Sequence, residues 1–286
     1  MKKNIFKKAS ILVTVVVIIL MIFWGYTYNN KYFKFQDKYL EKNTIDILGV
    51  KSDKVLKEEV NQIKYFEIFD NNFKNIMTLE DFVKFPNLEV IVNFGIHDYE
   101  TEAGKELFEN FAKPSTKEYK RYQKMLKTTL PELKNLKEVT FGSRTIFFDL
   151  NSFEECSQIE ELWIEHNQVE NIKGIVGMKN LRILSLSHNK FADLSALKSL
   201  EKLEAVNLSS IEVANLQALL DIPSLKLVVY NAKNEEEKDI INQLKQKGVE
   251  VFAEEQIFTE ILDELKIERI DFDDVVNMNK DAKDIR

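Results

Sequence analysis

"IEELWIEHNQVENIKGIVGMKN" (159–180), "LRILSLSHNKFADLSALKSLEK" (181–202) and "LEAVNLSSIEVANLQALLDIPS" (203–224) follow one another without a gap, each 22 residues long. Apolar residues stand at relative positions 1, 4, 6, 11, 14, 17 and 20 of every copy; in the middle one they are Leu181, Leu184, Leu186, Phe191, Leu194, Leu197 and Leu200. A fixed period of this kind marks a repeat architecture, in which no unit buries its apolar side alone but stacked units do.

The spacing within a unit tells what it forms. Positions 1, 4 and 6 suit a short strand and its approach, whereas 11, 14, 17 and 20 recur every third residue, as a 3₁₀-like turn requires. Stacking such units predicts an α/β solenoid with a parallel sheet on the concave face and 3₁₀ or short helices on the convex face. Position 9 is Asn167 and Asn189 in two copies, where a buried amide can bond backbone groups left unpaired as strand becomes loop. Ile211 takes that slot in the third copy.

The template extends outward in weaker form. "LKEVTFGSRTIFFDLNSFEECSQ" (136–158) fits with one added residue, placing Leu136, Val139, Phe141, Ile146, Leu150, Phe153 and Cys156 in the apolar slots. "FEIFDNNFKNIMTLEDFVKFPN" (66–87) offers Phe66, Phe69, Ile76, Leu79, Phe82 and Phe85, with Lys74 at position 9. "LEVIVNFGI" (88–96) begins a copy that is interrupted, and "LKLVVYNA" (225–232) opens the last. The repeats therefore run from 66 to 248.

The pattern L-x-x-L-x-L-x-x-N-x-I-x-x-I-x-x-L-x-x-L-x-x resembles the 22-residue leucine-rich repeat of bacterial internalins and related surface proteins. Upstream, "FQDKYLEKNTIDILGV" (35–50) is similar to the helical N-terminal cap of such proteins, assigned here to 29–65. Phe35, Leu40, Ile45 and Leu48 would pack it onto the first repeat, and Gly49 would end its helix in a left-handed conformation. The resemblance implies protein or glycan recognition at a cell surface, without catalysis and without a cofactor. The chain departs from it in carrying no C-terminal LPxTG signal, so an N-terminal anchor would replace wall attachment.

That anchor is read from the first thirty residues. A basic stub (1–8) with four lysines precedes an uncharged run, Ala9 to Asn30, apolar as far as Tyr26. Segment 9–28 is long enough to cross a hydrocarbon core of about 30 Å, and the lysines predict a cytoplasmic N-terminus with the rest outside. A cleaved secretory signal, which would release the protein, is the alternative. Of 40 basic residues, 36 remain beyond those lysines against 47 acidic, a net −11. Such a balance argues against nucleic acid as a partner, since phosphate binding needs clustered Lys and Arg. Cys156, the single cysteine, cannot form an internal disulfide.

Two elements lie outside the period. An insertion (97–130) contains Leu107, Phe108 and Phe111 on one short helix; a second helix starts after Pro114 with a Ser115-x-x-Glu118 capping pattern and carries Tyr119, Tyr122, Met125 and Leu126 on one side. The C-terminal part (249–286) holds a closing strand, then "AEEQIFTEILDELKIERI" with Ile257, Phe258, Ile261, Leu262 and Leu265 on one face, read as a helix capping the open end of the solenoid, and a polar tail.

No catalytic constellation stands out. His166 and His188 occupy position 8 of adjacent repeats, about 5 Å apart if stacked, with Glu165 nearby; a metal pair or a pH-sensitive step there competes with a plain surface. "DFDD" (271–274) lacks the alternating ligands of a calcium loop. An enzyme would instead need acid and base groups converging under the insertion.

The binding residues follow from strand alternation, which turns positions 3 and 5 away from the core. They are Ile68 and Asp70, Val90 and Val92, Glu138 and Thr140, Glu161 and Trp163, Ile183 and Ser185, Ala205 and Asn207, Leu227 and Val229. Trp163, beside Ile183 and bordered by Glu138, Glu161 and Glu165, resembles the aromatic anchor of an interaction hot spot. Thr140, Ser185 and Asn207 complete the candidate surface. Val90 and Val92 are expected to lie under the insertion, and Leu227 and Val229 under the C-terminal helix; for Trp163 the competing expectation is that the 97–130 insertion shelters it. The partner is read as a protein, of the organism's own envelope or of a host surface; a structural subunit of an envelope complex is the alternative role.

Overall fold

The computed structural model describes residues 21, 31–52, 54–68, 76–93, 114–142, 147–253 and 257–270. The segment expected to cross a membrane, the first insertion helix and the "DFDD" cluster lie outside them. Among the described residues no helix is long and apolar enough to cross a membrane.

Eight short strands form one parallel sheet in sequence order. They are β1 (Tyr65–Ile68), β2 (Val90–Asn93), β3 (Glu138–Phe141), β4 (Glu161–Ile164), β5 (Ile183–Ser185), β6 (Ala205–Asn207), β7 (Leu227–Val229) and β8 (Glu250–Phe252). Each strand is three or four residues because only that part of a repeat runs straight before the chain turns back. The convex layer consists of 3₁₀ turns at Glu80–Lys84, Asn151–Phe153, Lys173–Gly177, Ser195–Ser199 and Leu216–Asp221. Between the layers the position-4 and position-6 residues meet the convex apolar rows; Leu162, Leu184 and Val206 are all fully buried.

The asparagines at position 9 stitch neighbouring repeats. Asn189 accepts from the Val169 N–H at 2.9 Å and donates to the Ile164 and Leu186 carbonyls at 2.7 and 2.9 Å. Asn167 likewise accepts from the Phe147 N–H and donates to the carbonyls of Gly142 and Glu165. Just before them His166, His188 and Ser210 share a left-handed backbone, φ 52°, 55° and 57°. A polar side chain tolerates that conformation better than a branched apolar one.

Helix α1 (Lys38–Leu48) covers the first repeat. Asp37 caps it and also accepts from the Met77 N–H at 2.6 Å, while the buried Asp81 accepts from the N–H groups of Gln36 and Asp37. Leu40 and Leu48 are buried, Phe35 and Ile45 pack partly buried against the core, and Gly49 turns left-handed at φ 61°. A short turn, α2 (Lys57–Val60), leads into β1.

The outer repeats correct the sequence register. Phe66, not Phe69, sits opposite Ile91, which in turn pairs with Val139, so Phe66 is at position 4 rather than 1. Ile68 then points inward and is 2% exposed; Tyr65 and Glu67 take the concave positions assigned to Ile68 and Asp70, the latter outside the described residues. Repeats of unequal length cannot be registered by counting from one end. In the third unit the slot assigned to Ile146 is held by Phe147, whose N–H makes the Asn167 contact that Val169 makes with Asn189.

The second insertion helix, α3 (Lys117–Thr129), stands in the convex layer. Tyr122 lies edge-on to Phe141 and Phe147, and Tyr119 to Phe148 at 5.3 Å. It thus fills the convex side of the second repeat rather than the sheet face. Its cap is Thr116, accepting from the Tyr119 N–H at 3.2 Å, one residue beyond the Ser115 expected. At the other end α4 (Glu235–Gln246), capped by Asn234, completes the convex layer before β8.

Candidate functional site on the concave face

Strand pairing aligns the concave side chains into two rows. One runs Tyr65, Val90, Glu138, Glu161, Ile183, Ala205, Leu227, Glu250; the other Glu67, Val92, Thr140, Trp163, Ser185, Asn207, Val229, Phe252. All eight residues expected to bind a partner therefore share one surface: Glu138, Thr140, Glu161, Trp163, Glu165, Ile183, Ser185 and Asn207. They are not equally accessible. Ile183 and Ser185 are fully buried and Glu138, Glu161 and Asn207 nearly so, while Thr140, Trp163 and Glu165 are half-buried.

What covers them is the C-terminal segment. Helix α5 (Phe258–Glu264) does not cap the end of the solenoid, as one reading of the sequence suggested; it lies on the sheet, over the Leu227 and Val229 that it was also expected to cover. Phe258, Ile261, Leu262 and Ile267 form an apolar cluster with Ile183, Ala205, Leu227 and Val229, with Trp163, Phe252 and Leu265 at its edge. Trp163 and Phe258 ring centroids are 5.5 Å apart. The chain continues to Ile270, which packs on a second cluster of Tyr65, Val90 and Val92. Residues 257–270 thus form a strap across the concave face. Ile257, expected on the apolar side of that helix, is 60% exposed. The apolar row at positions 183, 205, 227 and 229 was a readable sign that something must cover this half of the sheet.

Under the strap several polar groups satisfy one another, while the buried Trp163 Nε1 makes no hydrogen bond of good geometry. Glu165 accepts from the Ser185 hydroxyl and from Asn207 Nδ2 at 3.4 Å, and Asn207 also donates to Ser185 Oγ at 3.0 Å. Thr140 Oγ1 donates to Glu138 Oε1 at 3.1 Å. The Ile270 N–H donates to Glu161 Oε1 at 2.7 Å, and Arg182 reaches the Glu268 carbonyl at 3.3 Å while paired with Glu204 at 2.8 Å.

Burial has an electrostatic consequence. It pushes the Glu138 carboxyl up to about 7, with the Thr140 hydroxyl and the Arg269 charge acting in the opposite direction. Glu161 is pushed up to about 8 by burial and then by the neighbouring Glu138, against the Ile270 N–H, the Trp163 side chain and Arg182. Taking a carboxylate out of water favours its neutral form, and two side by side disfavour double ionisation. His166 and His188 stand apart on an exposed edge, rings stacked at 4.0 Å rather than the 5 Å expected. Among the described residues no group of three or more His, Cys, Asp or Glu could hold a metal ion.

Comparison with known proteins agrees with the repeat register. The family described as Leucine Rich repeats (2 copies) matches residues 157–199. Among solved structures, an internalin F from Listeria monocytogenes is similar over 77% of this chain and 63% of its own, at 15% identity and a TM-score of 0.50. This chain thus spans less than two thirds of that protein. An internalin C2 from the same organism is similar over 77% of this chain and 94% of its own, at 19% identity and a TM-score of 0.47. A leucine-rich-repeat protein of Leptospira interrogans aligns at 18% identity and a TM-score of 0.34, over 72% of this chain and 59% of its own. No curated protein sequence matches significantly.

Proposed function

We propose, from the premise that this is a leucine-rich-repeat chain with an internalin-like solenoid, that it is a non-catalytic protein which binds another protein through its concave face. Segment 9–28 holds it in a membrane with the repeats outside, so that the partner is an envelope protein of the same cell or a protein of a host surface. The observation that carries this reading is Trp163: an indole at the middle of the parallel sheet, half-buried, with half-buried Thr140 and Glu165 beside it. A large aromatic that keeps exposed surface amid polar neighbours is the usual centre of a protein contact. An acidic surround favours a partner that presents apolar and basic groups.

The test is affinity capture from membrane extracts with the full-length protein, run beside Trp163→Ala. A partner retained by the parent and lost with the variant supports the reading, provided the variant's melting temperature stays within a few degrees. A partner that binds both equally contradicts it. Protease accessibility of the repeats in intact cells tests the anchored, outward-facing arrangement separately.

A further inference from the structure

The C-terminal strap does for the concave face what a bound peptide would do. Ile183, Ala205, Leu227 and Val229 point to the side of the sheet opposite the main core, yet none is more than 1% exposed. Their cover is a helix of seven residues that sets Phe258, Ile261 and Leu262 at i, i+3 and i+4 spacing, the arrangement of a helix laid in a groove. An extended stretch follows, in which Ile267 and Ile270 reach the two apolar clusters in turn. The strap is not a strand of the sheet, which ends at β8. Its polar ties to the solenoid include the Ile270 N–H on Glu161 and the Glu268 carbonyl on Arg182. Arg269, paired with Asp263 of the strap itself, places its charge near Glu138. The cluster beneath α5 is separate from the main core, which holds together through other residues.

We propose that the concave groove is a receptor for a short amphipathic helical peptide, with apolar residues at i, i+3 and i+4 and a basic residue about two turns further on, and that residues 257–270 are its intramolecular occupant, displaced when a partner carrying the same chemistry binds. This rests on the concave face being the recognition surface. Tethering gives the strap a high effective concentration, so a free peptide of equal intrinsic affinity loses the competition until the strap is weakened.

The experiment uses the full-length protein and a fluorescein-labelled synthetic peptide of residues 257–270, IFTEILDELKIERI. Leu262→Asp and, separately, Phe258→Asp put a charge on the strap's buried side and leave the solenoid's own residues intact. Both variants are expected to keep a cooperative thermal transition and to bind the peptide at least tenfold tighter than the parent. In a Trp24→Phe background, where Trp163 is the remaining tryptophan, its emission moves to the red in the variants and returns as peptide is added. Equal peptide affinity for parent and both variants overturns the proposal, as does loss of the cooperative transition in both, which would make the strap an inseparable part of the core. Peptide binding needs no cellular partner, so it separates the two ideas: exchange of the peptide with no Trp163-dependent partner sinks the recognition reading, whereas such a partner with no peptide exchange sinks the strap.

Discussion

Glu138 and Glu161 face each other across the pairing of β3 with β4, 7% and 2% exposed, where the strap crosses the sheet. Their carboxyls are raised to about 7 and about 8, so the folded protein holds their protons more tightly than an unfolded chain does. The sign follows: the contribution is complete below the ordinary carboxyl range and is lost as pH rises through 7 to 8. Tyr65 and Glu67 on β1, Arg182 ahead of β5 and Arg269 on the strap are the other ionisable groups around the pair. Between pH 5.5 and 8.5 the stability should fall by an amount on the order of a few kcal/mol, and the melting temperature should fall with it. Glu161→Gln should flatten that slope. A melting temperature that rises with pH over this window, or a slope unchanged in the variant, contradicts the assignment.

Asn189→Ala removes an acceptor for Val169 and donors for Ile164 and Leu186 at one stroke. Each group left unpaired inside the solenoid costs about 1–3 kcal/mol. Denaturant titration should therefore show a loss of roughly 2–4 kcal/mol, several times that of an exposed control such as Lys190→Ala. A loss no larger than the control's would mean that the ladder does not hold the repeats in register.

The convex turns leave no room for a side chain at Gly174 and Gly177. A Cβ on Gly174 would stand 1.9 Å from the Leu150 carbonyl oxygen, and one on Gly177 would stand 1.6 Å from that of Glu154. Both contacts are with backbone, which cannot swing aside. Gly174→Ala should cost about 2 kcal/mol or more, as overpacking does, whereas Ala196 and Ala218 occupy the same repeat position in the next two units. Unchanged stability would show that the turns can separate.

Cys156 is fully buried, and burial, reinforced by Glu155, pushes its thiol up to about 12. A thiol held protonated is a poor nucleophile. Labelling by an aromatic disulfide at pH 8 should track global unfolding and speed up with denaturant. Full labelling within minutes of native protein would place the third repeat outside the stable core.

The central repeats were legible because three copies of equal length superimpose, and a period of 22 leaves no choice of register for Leu162, Leu184 or Val206. Where length varies the reading slipped: Phe66 was placed three positions early, and Phe147 lost its slot to Ile146. Both errors come from counting across insertions that carry no apolar landmark. The concave rows around Trp163 were legible for the same reason as the core, since alternation along a strand is fixed by geometry. Their cover was legible only in part: the C-terminal helix was expected over Leu227 and Val229 and lies there, whereas the contact of Ile270 with Val90 and Val92 was not foreseen. How far across the sheet the chain travels after β8 is something no local pattern specifies.

The central claim is that a protein partner meets the concave face at Trp163. It is tested most directly by a photo-crosslinking amino acid placed at Thr140, beside Trp163 on the next strand, and compared with the same group at Val176, exposed on the convex side. The account predicts crosslinks to one partner protein from position 140 and none from 176. Crosslinks from 176 with none from 140 would place recognition on the other face and contradict it.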